Sequence, residues 1–164
     1  KPLVDLIVDH AGMKGTGTWT VQTALSLAVP VTGIAEAVFA RGLSSEADLR
    51  EEAQKQGFAG PDGKLNLNDD EKKAFIEDIR QALYASKIVA YAQGFNEITT
   101  AAKEYGWDID LAAVARIWRG GCIIRAKFLN RISEAFESGE ANVSLLFAPY
   151  LQRTPIENAE KSWP

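Results

Sequence analysis

Apolar residues along this chain recur mostly three and four positions apart, the spacing of helices with one buried face. Leu3, Leu6 and Ile7, with His10 at the same spacing, predict the end of a helix over residues 2–11, closed by Gly12. A small-residue loop follows, Lys14-Gly15-Thr16-Gly17-Thr18, closed by Trp19. Thr20 is placed to cap a helix to about Ala28, and Pro30 suits the first turn of another running through Arg41. Ser44 or Ser45 would cap a polar amphipathic helix to about Gln56. Residues 57–68, rich in glycine and containing Pro61, read as a long loop.

Asn68 then opens the longest periodic segment. Phe75, Ile79, Leu83, Ile88, Ala92, Phe95 and Ile98 hold one broad helical face until about Tyr105. Ordinary helices average roughly 11–12 residues, so this one predicts the spine of a bundle. Gly94 inside it weakens the helix by about 1 kcal/mol against alanine and points to close packing there. Asp110 begins a helix to about Trp118, Gly120-Gly121 breaks the chain, and residues 122–138 predict another amphipathic helix ended by Gly139. Short helices are expected around Ser144 to Phe147 and Pro155 to Ser162. No stretch alternates apolar and polar with period two, so the expected fold is all-α, one helical domain over residues 1–164 built around a long central helix.

Composition narrows the chemistry. The net charge of −4 argues against nucleic acid and anionic membrane as partners, and no apolar run approaches a membrane span. Cys122 is the only cysteine and His10 the only histidine, so neither a disulfide nor a familiar zinc or two-histidine iron site is expected. Cys122, between Gly121 and Ile123, reads as a buried small apolar residue rather than a nucleophile. These features fit a reduced, cytoplasmic protein. Both ends are abrupt, Lys1-Pro2-Leu3 without an initiator methionine and Trp163-Pro164 after a predicted helix, as in a piece of a longer chain.

One stretch could hold an anion. In Lys14-Gly15-Thr16-Gly17-Thr18 the glycines allow backbone N–H groups to converge, the lysine adds a mobile charge, and the threonine hydroxyls can donate to phosphate oxygens. The loop also feeds a helix N-terminus, whose free amides favour negative charge. It is not a Walker A loop, and a flexible connector is the competing reading. Arg41 could fork onto a phosphate or simply complement a helix C-terminus. Arg116, Arg119, Arg125 and Lys127 around Trp118 read better as a salt-bridged helix junction than as a nucleic-acid patch. Asp69-Asp70 and Glu51-Glu52 read as first-turn or solvated charges rather than an acid/base dyad. No catalytic residue set is visible.

The strings Lys14-Gly15-Thr16-Gly17 with Trp19-Thr20 and Gln22, Val38-Phe39-Ala40-Arg41, Tyr91-Ala92-Gln93-Gly94-Phe95, Ile117-Trp118-Arg119-Gly120-Gly121-Cys122-Ile123-Ile124-Arg125 and Leu146-Phe147-Ala148-Pro149-Tyr150 resemble the helical region of 6-phosphogluconate dehydrogenases. That family oxidises and decarboxylates 6-phosphogluconate to ribulose 5-phosphate with NADP in the pentose phosphate pathway, as homodimers. The resemblance implies that Lys14, Thr16 and Arg41 hold the substrate phosphate. It also implies that NADP is bound by an N-terminal domain absent here, as are the lysine–glutamate acid/base motif and a C-terminal tail that enters the partner's site. The chain alone would then be inactive. Met13 and Thr18 stand where many family members have glutamine and lysine. A non-catalytic helical interaction module is the alternative.

Overall fold

The computed structural model describes residues 1–58, 60 and 65–151. Among the described residues six whole α-helices follow in order: α1 (Thr16–Ser26), α2 (Thr32–Ser45), α3 (Ala47–Lys55), α4 (Asp69–Tyr105), α5 (Leu111–Ile117) and α6 (Phe128–Glu137). Short 3-10 turns cover Leu3–Leu6 and Leu145–Phe147, and the described residues contain no strand. The all-α expectation therefore holds.

The spine α4 has 37 residues, about 55 Å at 1.5 Å per residue. Its start is specified locally. The Asn68 carboxamide accepts from the amides of Asp70 and Glu71, and the Glu71 carboxylate returns to the Asn68 amide, a capping box. Its end is equally local: Gly106 takes a left-handed φ of 67°. Between these, Ile88, Ala92 and Phe95 are buried against Ala115 of α5, Phe128, Leu129, Ile132 and Ala135 of α6, and Ala141, Leu145, Ala148 and Leu151 beyond it. The Phe95 ring packs at 5.3 Å from Trp118 and 4.9 Å from Phe136. A smaller cluster of Ala24, Val29 and Val31 closes the α1–α2 corner.

The α2 helix meets the spine through small residues. Gln93 of α4 accepts the Gly33 N–H at 3.0 Å and donates to the Thr32 hydroxyl at 3.0 Å, pinning the first turn of α2. A Cβ on Gly33 would lie 3.3 Å from the Gln93 oxygen, and one on Gly94 would touch Ile34 at an ordinary 3.9 Å. The close packing expected at Gly94 thus belongs as much to Gly33.

Four boundaries differ from the sequence reading. Residues 2–11 do not form a helix; only Leu3–Leu6 turn, and Leu3, Val4, Leu6, Ile7 and Val8 are exposed. A helix this short gains little stability of its own without cover for its apolar face. The first long helix begins at Thr16, not after Thr20, whose hydroxyl instead donates back to the Thr16 carbonyl. The next helix runs past Arg41 to Ser45, so Ser44 and Ser45 end it rather than cap α3. Residues 122–127 stay outside α6, because Gly121 turns at φ 68° and the Tyr91 hydroxyl claims the Ile124 carbonyl. Cys122 is half-buried rather than buried. The helix expected at Pro155 to Ser162 lies outside the described residues.

Candidate functional site

Two glycines explain how the loop of residues 11–17 joins α1 and meets α2. Gly15 precedes the first turn of α1 at φ 99°, a conformation that side chains rarely adopt. No side chain caps that end of α1, so its first amides are presented outward, where an anion is favoured. Gly17 is a matter of space: a Cβ there would come within 2.9 Å of Val38 Cγ2, so only glycine lets α1 approach α2 this closely.

That approach fixes where the three expected phosphate ligands sit. At the other end of the loop, the Ala11 N–H donates to Ser44 Oγ at 3.1 Å. The loop therefore runs beside α2 from Ser44 back to Val38. Arg41 lies three residues from each, on the same face of the helix and about 4.5 Å along its axis from either. Lys14 lies midway between Ala11 and Gly17 along the facing loop. Thr16 opens α1 itself. The arrangement thus places the Lys14 backbone and the Arg41 turn between the same two contacts. Lys14 and Thr16 are exposed, while Arg41 is half-buried and donates to Ser45 Oγ at 3.5 Å. Chemically, the loop and the first turn of α1 carry a point charge, a hydroxyl and uncapped amides, and the helix the loop runs beside carries a planar guanidinium.

The two positions that depart from the resembled pattern touch each other: the Thr18 hydroxyl donates to Met13 Sδ at 3.4 Å. A neutral pair here closes the loop on itself, where a lysine would add charge.

Arg50, on α3, was not visible as a site residue. Its Nη1 donates to the carbonyls of Leu43 and Ser44, both at 2.8 Å. Its Nη2 donates to the Asp9 carbonyl at 2.9 Å and to Asp9 Oδ2 at 3.0 Å.

Of the basic cluster near Trp118, Arg116 and Arg119 form the expected junction, while Arg125 and Lys127 are exposed. Arg116 bridges Asp110 and Glu137 and reaches Ser133, while Arg119 donates to Asn130 Oδ1 and to the Arg116 carbonyl. Asp110 caps α5 by accepting the Ala113 amide, which holds its carboxyl below the usual carboxylate range, with Arg116 assisting. Among the described residues no group of His, Cys, Asp and Glu could hold a metal ion, and no helix is long and apolar enough to cross a membrane.

The family model described as 6-phosphogluconate dehydrogenase, C-terminal domain, matches residues 1–164. The chain belongs to this family. Among decarboxylating 6-phosphogluconate dehydrogenases, that of Schizosaccharomyces pombe is 50% identical over 163 residues, covering 99% of this chain and 32% of that protein. The human one is 49% identical, covering 99% and 33%. A solved structure of the Plasmodium falciparum 6-phosphogluconate dehydrogenase, described in apo form and in complex with NADP+ and with 6-phosphogluconate, aligns with a TM-score of 0.83 at 34% identity. It covers 97% of this chain and 34% of that one. The chain thus spans about a third of the length of these 6-phosphogluconate dehydrogenases, and that third is the helical domain described above.

Proposed function

We propose that this chain is the substrate-binding and dimerisation part of a cytoplasmic, decarboxylating 6-phosphogluconate dehydrogenase, and that it does not turn over alone. One observation carries the reading: the Ala11–Ser44 and Gly17–Val38 contacts bracket Lys14 and Arg41 beside the uncapped start of α1.

In this reading the substrate phosphate sits at the α1 N-terminus. Lys14 supplies a point charge, the Thr16 hydroxyl donates to one oxygen, and the Arg41 guanidinium offers two parallel donors. Each charge-assisted contact is worth about 1.5–3 kcal/mol, roughly 10- to 150-fold in affinity. Anchoring the phosphate end fixes the acyclic sugar acid along its length, so that its reacting carbons are presented to residues supplied from elsewhere.

The residues here do not fit NADP. No glycine fingerprint follows a strand in this sequence, and no strand occurs among the described residues. The acid/base pair is not in this stretch either, which is why the chain alone is expected to be silent.

The second half of the proposal, pairing with a second copy, is supported by the bare half of the spine. Phe75, Ile76, Ile79 and Leu83 are exposed on α4, although their periodicity is that of a buried face.

Chemical footprinting tests the phosphate reading. With 6-phosphogluconate present, Lys14 should be protected from acylation and Arg41 from dicarbonyl modification, and Lys14→Met should weaken binding at least about tenfold. Equal modification with and without ligand would favour a helical interaction module instead. Sedimentation should show a dimer, and a monomer at high concentration would remove the dimerisation role.

A further inference from the structure

We infer that Arg50 is a positioning residue for the phosphate clamp: it staples the loop that carries Lys14 to the end of the helix that carries Arg41. The inference rests on the phosphate reading above.

The guanidinium is used on both sides. One nitrogen faces α2 and donates to the carbonyls of Leu43, which also accepts the Glu46 amide, and Ser44, both in its last turn. The other faces the loop and takes both the backbone and the side chain of Asp9. Both of its Nη groups are therefore committed within the protein, so Arg50 holds the site together rather than binding the anion. The adjacent Ala11–Ser44 bond adds a second tie two residues along the loop. Together they fix residues 9 and 11 against the end of α2, one turn from Arg41 and a few residues before Lys14.

The loop needs such a tie. Residues 1–14 are exposed throughout, so burial does little to fix their path. A lysine at position 50 could not reproduce the staple, because an ammonium is a point charge without the planar fork that spans two segments at once. The location of Arg50 in the middle of the largely exposed α3 gives that helix a purpose: it carries the guanidinium to the seam between loop and α2.

The test is an NMR titration of the chain with 6-phosphogluconate, comparing the unaltered protein with Lys14→Met, Arg50→Gln, Arg50→Lys and Asp9→Ala. Asp9→Ala leaves the α2–α3 side of the staple intact, so it reads the loop tie even if Arg50→Gln loosens α3. The expected result is a loss of about tenfold in affinity for Arg50→Gln, the scale of one misplaced charge-assisted contact. Arg50→Lys and Asp9→Ala should show smaller losses. In Asp9→Ala the Gly15 and Gly17 amide resonances should shift before any ligand is added, a signature that a purely stabilising role would not produce. Loss of affinity in Lys14→Met with unchanged affinity and unmoved glycine amides in the Arg50 and Asp9 variants would overturn the staple while leaving the phosphate site standing. Unchanged affinity in Lys14→Met, or no binding by the unaltered chain, would overturn the phosphate reading and the staple with it.

Discussion

The two halves of α4 share one helix but carry their apolar stripes on opposite sides of it and live in different surroundings. From Ala85 to Phe95 one face is buried, with Ile88 wholly enclosed and Phe95 at 2% exposure under α5 and α6. Before Ala85, Phe75, Ile76, Ile79 and Leu83 recur three and four apart on the other side of the helix and stand open, Leu83 at 70% exposure. What holds the open half is local. It has the Asn68–Glu71 capping box, then ion pairs one turn apart: Asp69 with Lys72, Asp70 with Lys73, Glu77 with Arg80. Exposed pairs of that kind contribute little each, commonly under about 1 kcal/mol. Their run on one helix keeps it helical without a packed face. The pattern of α4 therefore marks two faces for burial, and the described residues cover only the one under α5 and α6.

The largest expected effect comes from breaking that asymmetry at the open half. Ile79→Glu with Leu83→Glu keeps good helix formers but removes two apolar side chains worth about 1.5–3 kcal/mol each on burial. If a second copy covers this face, self-association should fall by more than a hundredfold in sedimentation, while the monomer's thermal unfolding barely moves. Unchanged association would place the dimer surface elsewhere. The covered half should answer in the opposite way. Phe95→Ala leaves a cavity between Trp118 and Phe136 and should cost about 3–5 kcal/mol of stability by denaturant unfolding, at any protein concentration. A loss below about 1 kcal/mol would mean that the core relaxes around it. A smaller effect tests the local devices: Asn68→Ala should cost about 1 kcal/mol, seen as earlier exchange of amides in the first turns of α4. Protection unchanged from the parent would show that the open half is held by something other than its cap.

How far these features could be read in advance depended on how local their causes were. The start of α4 at Asn68 and the cap of α5 at Asp110 lie within a few residues of the groups that make them, and both are plain in the sequence. Thr20 looks like a capping residue, whereas α1 begins four residues earlier behind a left-handed Gly15 and needs no side-chain cap. Residues 122–127 carry a helical pattern, but their path is set by Tyr91, 33 positions away, bonding to Ile124. The candidate site divides in the same way. Lys14 and Thr16 stand out because glycines flank them, and Arg41 through resemblance. Arg50 was hidden because its partner Asp9 lies 41 positions upstream, and nothing in the pattern of α3 distinguishes it from any other polar surface arginine.

The smallest effect is also the sharpest contrast between the two halves, because each contains one carboxylate whose titration is displaced, in opposite directions. Glu77, in the open half, is held at about 2 by its hydrogen bond from Arg80, with Gln81 assisting. Its contribution is present above the ordinary value of 4.5 and is lost only as the pH falls through about 2. Glu97, in the covered half, is 8% exposed, and burial raises it above 4.5 because the charged form is poorly solvated there. The sign is therefore reversed: the folded state prefers the protonated acid, so stability from Glu97 is full below pH 4.5 and declines as the pH rises through its elevated folded value. Glu97→Gln should raise the melting temperature at pH 8 and leave it nearly unchanged at pH 4, where the parent is already protonated. Melting curves of the two proteins at both pH values decide it. An equal gain at pH 4 and pH 8 would show that the substitution acts through packing, and that burial in this half does not reach the carboxylate.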